Sequence, residues 1–188
     1  MANPKHVDLA RRYAAGERNL RLEMLDLSGA NLHGLDFSQA WLRDTNLSEA
    51  NLQHCRFVGA SMPGTNFSQA DLSGADLHGA IAAGTIFSNA KLTGSNLRAI
   101  DLYGADLTQA DLSLVQAMHA IFTGARLTRA ILFKANLTHA DLRDTALSHA
   151  ENVSSANFDN ALLPPGYQPV NNPRQIKTAS GFFGKKKR

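Results

Sequence analysis

The sequence predicts an all-β solenoid, a chain that coils about an axis and stacks its coils into one rod. Three observations predict it. Large apolar residues recur at every fifth position from Leu22 to Leu147, turn-forming pairs follow them, and residue types sort into columns twenty positions apart. Of the 26 fifth positions, eighteen are Leu, five are Phe and one is Met62, which leaves only Ala82 and Ala117 as exceptions. Two residues earlier, 15 of the 26 positions are Ala, and the residue between is Asp or Asn in 14. The unit reads as in Ala70-Asp71-Leu72-Ser73-Gly74.

A period of five fits no straight element. On an α-helix, successive leucines would fall ~140° apart and smear round the axis. On a straight strand an odd period sends alternate leucines to opposite faces. All of them stay inside only if the chain turns once per unit. Ser28-Gly29, Pro63-Gly64, Thr93-Gly94 and Thr123-Gly124 supply turn chemistry directly after a central residue.

Repeats of this kind resemble those of the pentapeptide-repeat family, in particular bacterial and cyanobacterial members. The resemblance implies a right-handed quadrilateral parallel β-helix in which four pentapeptides make one coil and residues n and n+20 stack. Coils at the parallel-strand spacing of ~4.8 Å would give a rod about 34 Å long. The columns agree with stacking at twenty: Ala30, Ala50, Ala70, Ala90, Ala110, Ala130 and Ala150 are unbroken, as are Leu32, Leu52, Leu72, Leu92, Leu112 and Leu132. Thr45, Thr65 and Thr85 form a third run. Such a core is filled with side chains and holds no cavity.

The ends differ from the middle. Residues 1–18 read as a short capping helix, begun by Asn3-Pro4, carrying Val7, Ala10, Tyr13 and Ala14 on one side, and stopped by Gly16. Residues 19–163 form the solenoid, with a one-residue frame slip near 148–153, because Leu147 is followed by Val153, Phe158 and Leu163. Residues 164–188 form a basic tail without periodicity, expected to be disordered on its own. Phe182 and Phe183 precede Lys185, Lys186, Lys187 and Arg188, either as a docking motif or anchor for an acidic surface or as a solubilising tail.

Charge follows the same division. The net +3 combines +2 in residues 1–18, −5 in 19–163 and +6 in 164–188. The basic pI belongs to the ends, so direct nucleic-acid binding by the solenoid is not expected. Cys55 is the only cysteine, which excludes an internal disulfide; no apolar run spans a bilayer, and a cytoplasmic protein is expected.

No residues assemble into a catalytic constellation, and neither cofactor nor metal is expected. The glycines stand singly at corners, and the repeat itself accounts for the aspartates. His119 and His139 stack one coil apart, but Gly79 and Ala99 precede them and supply no third ligand. The chain is therefore read as a non-enzymatic, monomeric scaffold for an unidentified protein partner. The family also includes DNA-mimicking proteins that bind and protect DNA gyrase, an alternative that calls for a sustained acidic face. Here bases interrupt the acids, as in Asp36-Arg56-Asp76 and Asp71-Lys91-Asp111 at twenty-residue steps. The outward apolar residues are the more unusual feature. Trp41, Ile81, Ile86, Ile121 and Ile131 occupy positions that should be polar. Leu114, Met118, Ile121, Ile131 and Phe133 are the expected partner site, with the Phe182–Arg188 tail as a second.

Overall fold

The computed structural model describes residues 3–17 and 21–169. Four pentapeptides complete each circuit, and parallel bridges pair residue n with n+20 from Asp26 and Asn46 upward. The rod thus has four walls. Wall 1 presents Trp41, Ser61, Ile81, Asp101, Ile121 and Asp141, and wall 2 presents Asp26, Asn46, Asn66, Ile86, Asp106 and Arg126. Wall 3 presents Asn31, Asn51, Asp71, Lys91, Asp111 and Ile131, and wall 4 Asp36, Arg56, Asp76, Asn96, Gln116 and Asn136. Each wall is only about three residues wide before the chain turns. Pairing therefore takes the form of isolated bridges, and no longer strand develops among the described residues.

The repeat follows from the hydrogen-bond needs of its five N–H groups. The central residue donates up to the next coil, as Leu72 N–H does to Lys91 O at 2.7 Å. The residue before it donates down, Asp71 N–H to Ala50 O at 3.0 Å. The second corner residue again donates up, Gly74 N–H to Thr93 O at 3.0 Å, and Ala75 N–H closes the corner onto Leu72 O at 2.9 Å. Only the first corner residue is left over. Its N–H finds the side chain of the Asp or Asn two residues earlier: Ser73 donates to Asp71 Oδ1 at 3.0 Å, and Tyr103 to Asp101 Oδ1 at 2.9 Å. The acidic or amide residue in the motif is thus a turn acceptor.

The second corner residue is left-handed from Met24 to Asp144, at Gly74 with φ +68° but also at Gln69 with φ +60° and His119 with φ +59°. Central residues and the small residues before them are buried, including both exceptions, Ala82 and Ala117. The threonine run ties coils together from inside. Thr65 Oγ1 donates to Leu42 O at 2.7 Å, Thr85 Oγ1 to Met62 O at 2.8 Å, and Thr45 Oγ1 to Leu22 O.

Helix α1, Pro4–Ala14, closes the first coil. Asn3 caps it by accepting from Lys5 N–H at 3.0 Å, and Tyr13 stacks on Phe37 with ring centroids 6.5 Å apart. A first coil has no coil beneath it. The chain supplies substitutes at wall 2: His6 Nδ1 accepts from Asp26 N–H at 2.8 Å, and Asn3 N–H donates to Asp26 O at 3.2 Å. Both are groups that a preceding coil would have satisfied.

At the far end the step changes. Ile131 pairs with Glu151, twenty residues on, but Asn136 pairs with Asn157 and Asp141 with Leu162, each twenty-one on. The extra residue lies in the stretch where Asn152 is left-handed at φ +56° and Val153–Ser155 make one 3-10 turn. Among the described residues no helix is long and apolar enough to cross a membrane.

Candidate protein-interaction face

A wall residue whose side chain is Trp or Ile cannot accept the spare corner N–H. Such residues give up a hydrogen bond worth roughly 0.5–1.5 kcal/mol where it is shielded from water. Wall 1 does this repeatedly, at Trp41, Ile81 and Ile121. Nine large apolar side chains are exposed among the described residues, and six lie on wall 1 or the corner following it: Met24, Trp41, Ile81, Tyr103, Ile121 and Leu162. Trp41 is 70% exposed, Tyr103 60% and Ile81 50%, so none serves the core.

One of the two positions of the corner beside this column is glycine in successive coils. Gly64, Gly84, Gly104 and Gly124 stack through four successive coils with φ between +63° and +69°. The other corner position carries Pro63, Ala83, Tyr103 and Thr123, and the Asp44 carboxylate lies over Gly64. From Ser61 to Gly124, the outward positions of wall 1 and this corner carry a single charged group, Asp101. No ion pair among the described residues engages it. Asp141, higher on the wall, is occupied: Arg143 holds it with contacts of 2.6 and 2.9 Å, and this hydrogen-bonded clamp lowers its pKa to about 2.

The expected partner residues divide between two places. Leu114 and Phe133 adjoin at the corner after wall 3, where Leu114 N–H donates to Phe133 O at 2.8 Å, and Ile131 lies on wall 3 itself. Lys134 Nζ covers the Phe133 ring at 5.2 Å from its centroid, which reduces the apolar surface offered there. Ile121 is on wall 1, and half-buried Met118 is at the corner leading into it, across wall 4 from Leu114. The tail residues Phe182, Phe183, Lys185, Lys186, Lys187 and Arg188 lie outside the described residues. Trp41, Ile81 and Tyr103 belong with Ile121, and the signal for the first two was available: 41, 81 and 121 differ by multiples of twenty.

The sequence profile of pentapeptide repeats matches in eight copies, the matched stretches together spanning residues 18–163. The chain belongs to the pentapeptide-repeat family. Members form right-handed quadrilateral β-helices, in accord with the four bridged walls. A solved pentapeptide repeat protein involved in heterocyst differentiation regulation, from Nostoc sp. strain PCC 7120, is 29% identical, with 82% of this chain and 90% of that one covered and a TM-score of 0.21. A second from Nostoc PCC 7120 is 24% identical, covers 86% of each chain and has a TM-score of 0.36. Full-length QnrB1, a plasmid-mediated fluoroquinolone resistance protein, is 19% identical over 71% of this chain and 81% of that one, with a TM-score of 0.42. Comparison with curated protein sequences gives no match.

Against the pentapeptide-repeat pattern, the remaining polar clusters are ordinary. His119 and His139 stack at 4.9 Å with rings 1° from parallel, and His33 meets His54 edge-on at 5.6 Å. No group of three potential metal ligands gathers among the described residues. Cys55 takes an inner small-residue position, donates to Leu32 O at 3.0 Å, and has its thiol pKa pushed up to about 11 by burial.

Proposed function

We propose that this pentapeptide-repeat protein is a non-enzymatic, monomeric interaction module whose right-handed β-helix presents wall 1 to a protein partner. One observation carries the proposal. The wall abandons the turn acceptor at Trp41, Ile81 and Ile121 and gains exposed apolar surface instead, beside a glycine-bearing corner and with Asp101 the one charged group from Ser61 to Gly124. Exposed apolar side chains gathered on one wall, here alternating with Ser61 and Asp101, support a contact surface on an otherwise polar protein.

The test uses substitutions that return the wall to the repeat pattern. Ile81→Asn with Ile121→Asn restores acceptors at both corners and removes the apolar column. Affinity capture with the full chain should lose its partner while circular dichroism is unchanged. Unchanged recovery would remove wall 1 as the site. A parallel variant, Ile131→Asp with Phe133→Asp, asks whether the wall 3 corner contributes. The gyrase alternative has less support, since Arg56 reaches Asp36 at 3.6 Å and Lys91 stands between Asp71 and Asp111 in the wall 3 column. These ladders neutralise themselves, unlike a phosphate array; a supercoiling assay with and without a quinolone checks the point.

A further inference from the structure

The last bridge of the described chain lies at the upper end of wall 1. Leu162 pairs with Asp141 on that wall, and the chain then turns, with Tyr167 N–H donating to Pro164 O at 3.1 Å. Nineteen residues follow Pro169, from Val170 to Arg188. They contain six basic side chains and no acidic one, with Phe182-Phe183 set between glycines just ahead of Lys185. Wall 1 offers the complement: Ile81 and Ile121 bracket Asp101 one coil away on either side, and Tyr103 stands at the adjoining corner.

Reach permits the match. From Leu162 down to Ile81 is four coils, or ~19 Å at the parallel spacing. The thirteen residues from Val170 to Phe182 span up to ~43 Å when extended. No linker has to be stretched, and the effective concentration of a tethered segment is high.

Resting on wall 1 as the contact surface, we propose that residues 170–188 of the same chain dock on it. Phe182 and Phe183 cover Ile81, Tyr103 and Ile121, and the following lysines meet Asp101. The tail thereby competes with the partner for the wall. The charged contact weakens with salt, whereas the aromatic contact does not.

Isoleucine-methyl NMR on the full chain tests this, because its six isoleucines are well distributed: Ile81 and Ile121 on wall 1, Ile86 on wall 2, Ile131 on wall 3, Ile100 buried, and Ile176 in the 170–188 segment itself. A nitroxide is placed on the tail through Ser180→Cys in a Cys55→Ala background. The expected result is loss of intensity at Ile81 and Ile121 with Ile131 preserved, reversed by Phe182→Ser with Phe183→Ser. Undiminished Ile81 and Ile121 signals, or equal loss at Ile131, would overturn the proposal. So would loss seen only when spin-labelled chains are mixed with methyl-labelled ones, which means docking between copies. Partner capture keeps the two claims apart. If Ile81→Asn with Ile121→Asn abolishes capture while the nitroxide leaves wall 1 untouched, the tail inference fails and the interaction face stands. If both hold, Phe182→Ser with Phe183→Ser strengthens capture.

Discussion

Leu72 is wholly buried, with Leu92 above and Leu52 below it in the same inner column. Truncation to Ala leaves a hole that flanking coils cannot collapse into, because the backbone ladders fix their spacing. Leu72→Ala should cost about 2–5 kcal/mol, read from denaturant unfolding. Asp141 illustrates the polar side of the same scale. The hydrogen bonds from Arg143 hold its pKa near 2, below the ordinary carboxylate range of about 4. A depressed folded pKa stabilises the fold above the unfolded value, and that contribution disappears as pH falls towards the folded one. Asp141→Asn should therefore be less stable than the parent chain at pH 6, and the two should converge as pH falls from 4 to 2. A constant difference across that window would show that the carboxylate charge is irrelevant.

At the scale of the element, each pentapeptide is an accounting unit, and its logic was legible in the sequence only in part. The central Leu and the inner Ala announce themselves through period five, and the stacked columns through period twenty. The role of Asp and Asn as acceptors for the first corner N–H needed the backbone geometry, as at Ser73 on Asp71. So did the cap. The helix pattern of Val7, Ala10 and Tyr13 is visible in sequence, but nothing there shows that His6 and Asn3 satisfy Asp26 in place of a missing coil. His6→Ala removes that acceptor and should cost about 1 kcal/mol. The matching observation is faster amide hydrogen exchange at Asp26 with Asn66 unaffected; equal protection would show that water or another group serves as well.

For the whole molecule, the rod separates what builds it from what it displays. The interior positions record the fold alone, as solenoid interiors must. On the proposed reading function is written in the departures from the repeat, and these group together only once residues are sorted by wall. Leu114 and Met118 are close in sequence, yet wall 4 divides them. Trp41, Ile81 and Ile121 are forty residues apart in steps, yet share one wall. The central claim is that this column is kept for contact at a small cost to the fold. Its most direct test is the denaturation midpoint of Ile81→Asn with Ile121→Asn beside its partner capture. The account predicts a midpoint equal to or above that of the parent chain, with capture lost. A clear drop in the midpoint with capture intact would mean that the isoleucines serve the β-helix itself and would contradict it.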